Sequence, residues 1–405
     1  MSEVFAARQP IFDRWLDVVG YELLSRGGPM SQEVIGSPEG ATAAVVLNSC
    51  TEIGLERIVG PRAAWINVSR EFVLGGLAHS VPPSLVLLEI LEDELIDDQL
   101  IAAVRGLKRE GYRFALDGFQ YTPIAERLLR LVDVVKLDLL ALGRENLARE
   151  VARLKPYGVT LLAEKIETQP DFRYCVEAGC DLFQGYFFCR PDLVRGRGAD
   201  VNRVSLLEVL AELQDPATQL SDVERMIARD LGLSYRLFRY INSAFFGMRQ
   251  QVRSIGQALV LLGIENLKQW VTLSIFISVA DKPSELIVTA LIRARFCELA
   301  GDHVQAARRG ELFTLGLFSV IDALMDTPME DVLDKLPFPQ DMREALTAHQ
   351  GDKGRLLESV TALEAGDFDR AETIIPNAGE PYLASLTWAN AAAEPLFTQA
   401  APAAA

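Results

Sequence analysis

Between residues 18 and 186 the chain carries a series of apolar runs, each ending in a polar residue of a type that binds metal ions or phosphate. The runs are VVGYELLSR with Glu22, AWINVS with Asn67, LVLLEI with Glu89, YRFALD with Asp117, VDVVKLD with Lys136 and Asp138, VTLLAE with Glu164, and LFQGY with Gln184. Glutamate, aspartate and asparagine make an oxygen-rich donor set, which suits Mg²⁺ or Mn²⁺ over softer metals. A single acid in such a place is more often a helix N-cap or a solvated loop group. The ordered set is what points to a site.

Near-continuous apolar runs of this length read as strands buried on both faces, the pattern of a parallel sheet covered by helices. The polar residues then stand at strand ends. A closed βα barrel accounts for several strand ends each presenting a carboxylate or an amide, because it gathers those ends on one face. The expected fold class is therefore α/β plus all-α: a TIM-type βα barrel followed by an all-helical domain. The change comes at DLVRGRGADVNRV, where Gly196, Gly198 and clustered arginines interrupt both periodicities as a connector would. Beyond it, Ser221 with Glu224 and Ser254 with Gln257 have the spacing of capping boxes that open apolar helical patterns. The expected organisation is a barrel over 1–195, a connector over 196–204, a helical domain over 205–395 and a disordered tail over 396–405.

A chain of 405 residues is longer than single cores usually grow, which agrees with two domains. The net charge of −16 argues against broad nucleic-acid or anionic-membrane binding, since both need a basic footprint. In YINSAFFGMRQQVRSIGQA, Arg249 and Arg253 are too few against that acidity to support a DNA-reading helix-turn-helix. Five cysteines without paired CxxC spacing indicate neither a disulfide framework nor a zinc site, and reduced, mostly buried thiols are expected. His79, His303 and His349 are too scattered for a metal cluster. MSEVFAARQP lacks the features of a signal peptide, and the most apolar later stretch is broken by Glu265 and Lys268. A cytoplasmic protein without a membrane span is expected.

The strings YELLSR, INVS, LEILED, ALDGF, VVKLD, AEKIET and QGYFFCRP resemble, in order and spacing, the motif series of EAL domains, the barrel enzymes that linearise cyclic di-GMP. The opening ARQPIFDRWLDVVGYELLSR and the later LSYRLFRYINSAFFGMRQQVRSIGQALVLLGIENLKQWV are similar to proteins that join an EAL domain to an HDOD domain. The resemblance implies that Glu22, Asn67, Glu89 and Asp117 are metal ligands, and that Glu164 is a further ligand or base. It places Lys136 near the attacked phosphate, Asp138 at a family position of its own and Gln184 as the late amide of the site. Arg26 becomes the nucleotide-phosphate contact, with a surface salt bridge as its ordinary alternative. Glu167 becomes the residue that steadies the catalytic loop. Two-metal hydrolysis of a phosphodiester uses such a cluster to activate water and neutralise developing charge.

This chain also departs from the family pattern. Active members carry two consecutive aspartates before a glycine- and serine-rich loop, whereas here the text is ALDGFQYTPIAERLL, with Gly118 in the second aspartate's place. Glycine offers no ligand atom. Tyr121, Thr122 and Pro123 alter the loop that in the family links ligand state to contacts within a homodimer. Leu23 and Lys165 replace a family alanine and glycine. The helical half has no His-Asp pair, as in HDOD domains, which resemble HD phosphohydrolases in layout without their metal residues. Two readings follow. In one, a degenerate, catalytically inactive barrel binds cyclic di-GMP or a protein, and the HDOD domain binds protein partners. In the other, the chain is a weakly active, Mg²⁺- or Mn²⁺-dependent cyclic di-GMP phosphodiesterase, with one metal or with Asp138 as a surrogate ligand.

Overall fold

The computed structural model describes residues 6–25, 55–91, 94–118, 123–190, 201–229, 237, 241, 255–277, 282–303 and 309–397. The chain divides into two compact units, Met1–Phe188 with Ala362–Asp369, and Cys189–Thr361 with Arg370–Ala405.

In the first unit eight strands close into a barrel in chain order: β1 (Ala6–Phe12), β2 (Val18–Ser25), β3 (Ala63–Val68), β4 (Val86–Ile90), β5 (Arg113–Leu116), β6 (Val134–Asp138), β7 (Thr160–Glu164) and β8 (Leu182–Gln184). Helices α1 (Leu55–Val59), α2 (Arg70–Leu74), α3 (Asp98–Arg109), α4 (Pro123–Leu129), α5 (Leu139–Leu154) and α6 (Gln169–Ala178) connect the strands. From β2 to β8 neighbouring strands are parallel, as the apolar runs predict. β1 is different, because it runs antiparallel to both β2 and β8. It is joined to β2 by a tight hairpin in which the Asp13 carboxylate accepts the N–H groups of Trp15 (2.9 Å) and Asp17 (3.0 Å), with Leu16 at φ 66°. Its polar Arg8 and Gln9 interrupt the apolar pattern. Arg8 is nonetheless buried, its guanidinium 4.1 Å from the centre of the Tyr21 ring.

Side chains alternate along a strand, so the residue two before each strand-end polar group also faces the barrel interior. Those positions are Trp65, Leu87, Ala115, Val134 and Leu162, with Leu182 packed beside them and Ile11 contributed by β1. They form one apolar layer beneath the polar one. Gly20 lies two residues before Glu22, and a Cβ there would come within 2.4 Å of Trp65 Nε1. Gly20→Ala should therefore lower stability by about 1–3 kcal/mol through overpacking. A urea midpoint equal to the parent's would show that the Trp65 ring yields freely. The aromatic tail of QGYFFCRP is packing: Phe187 stacks on Phe172 (4.8 Å, 8°), and Phe188 lies 4.9 Å from Phe12.

The second half contains α7 (Val201–Gln214), α8 (Leu220–Arg229), α9 (Ile255–Ile277, non-helical at Gly263), α10 (Ser284–Leu299), α11 (Arg309–Phe318), α12 (Ile321–Met325), α13 (Met329–Leu333), α14 (Gln340–Ala348), α15 (Gly351–Glu364), α16 (Phe368–Ile374) and α17 (Gly379–Phe397). No strand occurs there among the described residues. α10 is buried on every side from Glu285 to Ala294, which makes it the central helix, flanked by α11 and α17. Helix α7 begins at Val201, inside the segment read as a connector, while residues 191–200 lie outside the described ones. The capping register of α8 also differs from the sequence expectation. Ser221 is in the first turn, and the Asp222 carboxylate accepts the N–H of Gln219 at 2.9 Å, so the cap sits two residues earlier. Ser254 is outside the described residues. Among the described residues no helix is long and apolar enough to cross a membrane, and no disulfide forms; Cys175, Cys180 and Cys297 are buried and Cys189 is half-buried.

Candidate functional site

Strand register brings the polar residues to one level. Asn67 pairs with Glu89 across β3 and β4, Asp138 with Glu164 across β6 and β7, and Gln9 with Glu22 across the antiparallel pair. At the centre stands Lys136, fully buried. Its Nζ is 2.8 Å from Glu89 Oε2, 3.0 Å from Glu22 Oε2, 3.4 Å from Glu164 Oε2 and 3.7 Å from Asp117 Oδ2. Asn67 donates to Glu22 Oε1 at 3.0 Å. Gln184 Nε2 donates to Glu22 Oε2 (2.7 Å) and to Gln9 Oε1 (2.8 Å).

The electrostatics follow from one ammonium shared by four carboxylates. Burial disfavours the charge on Lys136, but Glu22, Glu89, Glu164 and Asp117 outweigh it and hold the ammonium protonated well above its usual range. Burial likewise opposes ionisation of Glu22. Lys136 and the hydrogen bonds from Gln184 and Asn67 reverse that, so its carboxyl lies below the usual range. Glu89 goes the other way: burial and then the charge of Glu22 push it well up, against Lys136. Burial, with Asp117 and Glu22 nearby, likewise pushes Glu164 up to about 8.

Asp138 has partners of its own. Asp138 caps α5, accepting the N–H of Ala141 on Oδ1 (2.9 Å), while its Oδ2 takes Lys165 Nζ at 2.6 Å. Both oxygens are engaged, which disfavours it as a surrogate ligand; here the N-cap role prevails. Lys165 adopts φ 55°, a left-handed conformation that a glycine would take without strain. Glu167 is exposed on the loop between β7 and α6. Arg26 and the loop residues Tyr121 and Thr122 lie outside the described residues, as does the side chain of Pro123. The sequence reading missed Gln9, which holds Gln184 against Glu22. Its signal was the spacing to Ile11, two residues on and part of the interior layer, but that signal requires β1 to be read as a strand.

The residues fit a hard divalent cation in donor type and charge. Glu22, Asn67, Glu89, Asp117 and Glu164 offer only oxygens, and four carboxylates exceed the single ammonium among them. Asn67 Oδ1, Glu89 Oε1 and Gln184 Oε1 are buried oxygens with no hydrogen-bond partner. Among the described residues no group of three or more acidic, histidine or cysteine side chains is arranged to hold a metal ion, and the point on which Glu22, Glu89, Asp117 and Glu164 converge is taken by Lys136 Nζ.

Family models match at two places, EAL domain over residues 71–191 and HDOD domain over residues 203–334. The chain is 33% identical to the uncharacterized protein YuxH of Bacillus subtilis, over 95% of this chain and 98% of that one. It is 34% identical to the cyclic di-GMP phosphodiesterase CdgJ of Vibrio cholerae, over 92% of this chain and 87% of the relative. The chain belongs to the EAL–HDOD family. Of the residues around Lys136 in this EAL–HDOD protein, Glu22 and Asn67 precede the matched EAL segment, and Glu89, Asp117, Glu164 and Gln184 fall within it. The chain is also similar to two solved structures. One is the manganese/cyclic di-GMP complex of Klebsiella pneumoniae BlrP1 (22% identity, 46% of this chain and 55% of that chain, TM-score 0.38). The other is the FimX EAL domain from Pseudomonas aeruginosa bound to cyclic di-GMP (20%, 46% and 89%, TM-score 0.38).

Proposed function

We propose that this EAL–HDOD protein is a cyclic di-GMP-responsive regulator whose barrel binds the nucleotide with little or no hydrolysis and whose HDOD domain engages a protein partner. The observation that carries the reading is the pairing of an assembled polar cluster around Lys136 with Gly118, directly after Asp117, which has no ligand atom. Glu22, Asn67, Glu89 and Asp117 would hold Mg²⁺ or Mn²⁺, which when bound supplies charge neutralisation to a phosphate. Lys136 anchors Glu22 and Glu89 and adds a fixed positive charge beside the phosphate. Gln184, steadied by Gln9, holds Glu22 in place from the other side. A carboxylate missing from such a preorganised set costs orders of magnitude in rate.

The alternative, a weakly active phosphodiesterase, is favoured by one observation: a relative aligned over nearly the whole chain is named for that activity. Calorimetric titration of cyclic di-GMP into the Mn²⁺-supplied full-length protein, with the products analysed afterwards, separates the two. Binding with intact nucleotide supports the regulator, and turnover supports the enzyme. Arg26→Ala should weaken binding by about 1–3 kcal/mol, the range for losing a hydrogen bond to a charged group. An unchanged affinity would place the phosphate elsewhere.

A further inference from the structure

The helical unit contains a cavity of about 240 Å³ formed by α9, α10, α11 and α17, apart from the residues of the barrel site. Its walls are aromatic: Trp270 and Phe313 are buried, Trp388 is half-buried, and the rings of Phe313 and Trp388 meet edge to face at 6.0 Å. Leucines complete the apolar surface. Such walls accept a flat ring, since aromatic faces stack on any planar π system. The volume lies below the roughly 300–1,000 Å³ of sites for drug-sized ligands, so the occupant is on the order of one bicyclic ring system.

The polar groups narrow the choice. Asn266 Nδ2 donates to Leu262 O (2.8 Å) and Gln269 Nε2 to Gly310 O (3.4 Å), so each side chain has its amide oxygen to offer a ligand. Glu298 gives one carboxylate oxygen to Arg295 Nη1 at 2.5 Å and keeps the other as an acceptor. This edge of the cavity is rich in acceptors and selects N–H donors. Arg295 also lines the cavity, with its guanidinium carbon 5.6 Å from the centre of the Trp388 ring, and its Nε–H is buried without a hydrogen-bond partner. A ring nitrogen with a lone pair would satisfy that donor. Net charge on the ligand is disfavoured in both directions. A cation would meet Arg295 where it already neutralises Glu298, and an anion would meet Glu298.

We infer that this cavity is a binding site for an uncharged, planar nitrogen heterocycle with an amino or ring N–H edge, of the purine-base class. Asn266, Gln269 and Glu298 receive its donors, Arg295 Nε supplies one donor, and Trp270 and Trp388 flank the ring. The occupant is selected against phosphate-bearing and cationic molecules by the closed Arg295–Glu298 pair.

The test uses the full-length protein without added metal and the probes adenine and hypoxanthine, followed by tryptophan fluorescence and by calorimetry. Saturable quenching with 1:1 stoichiometry is expected for at least one of them. Benzoate and benzamidine, planar rings of single negative and positive charge, should bind at least about tenfold more weakly. Asn266 is exposed, so Asn266→Ala should leave folding intact and weaken the probe about fivefold, the loss of one neutral hydrogen bond. Leu262→Trp puts a larger side chain into the cavity wall and should weaken binding at least about tenfold. Absence of saturable binding by both probes overturns the inference. So does equal binding of a charged ring, or binding that survives Asn266→Ala at full strength, which would locate the probe elsewhere, the barrel included.

Discussion

Lys136→Met should lower the stability of the metal-free barrel by about 3–5 kcal/mol, because it removes the one cation that, among the described residues, bridges Glu22 and Glu89, and leaves the buried Glu22 carboxylate uncompensated. The methionine matches the lysine stem in volume, so the loss reports charge and not a cavity. In urea titrations with chelator present, the midpoint of the transition that reports the barrel should move down by about 1–2 M. Divalent metal should recover part of the loss by binding the folded state alone. A midpoint that stays at the parent's value would mean that the surrounding carboxyls are neutral in the folded protein and that Lys136 does not hold the cluster together.

The second large effect concerns catalysis. Hydrolysis of cyclic di-GMP by the unmodified protein should be absent or orders of magnitude below that of an intact EAL enzyme, since Gly118 withholds a carboxylate from a preorganised site. Gly118→Asp should strengthen Mn²⁺ binding by about tenfold or more, equivalent to about 1.4 kcal/mol. The backbone tolerates this substitution. Gly118 has φ 59°, and aspartate is among the few residues that enter the left-handed region at modest cost. Manganese titration by calorimetry measures the first effect and product analysis the second. Unchanged Mn²⁺ affinity would shift the defect from Gly118 to the loop that follows it, while normal turnover by the parent protein would remove the regulator reading.

Much of the barrel was legible in the sequence because its chemistry is periodic. A strand buried on both faces has to be apolar, so Glu22, Asn67, Glu89, Asp117, Lys136, Glu164 and Gln184 stand out as exceptions at strand ends. Their order along the chain was enough to suggest a closed barrel, and the helical half announced itself by the loss of those runs. The hairpin strand β1 was not legible, because Arg8 and Gln9 disguise it as a polar segment although both side chains are used internally. Nor could sequence distinguish Asp138 from the other acids. It shares their position at a strand end, but the next residue starts α5, and a carboxylate there satisfies helix N–H groups.

The sequence by itself determined which residue types would meet at one end of the barrel, since local apolar patterning dictates the strands and the strands dictate their ends. Only the tertiary structure decided how those residues meet. Lys136 reaches Glu22 across 114 positions of chain and Gln184 reaches it across 162, distances that become hydrogen bonds because closure of the barrel sets strand register. The same holds for Gln9, the apolar layer below the site and the cavity lined by Trp270, Arg295 and Trp388. Each depends on contacts between elements far apart in the chain, and no local period encodes which side chain will stand opposite which.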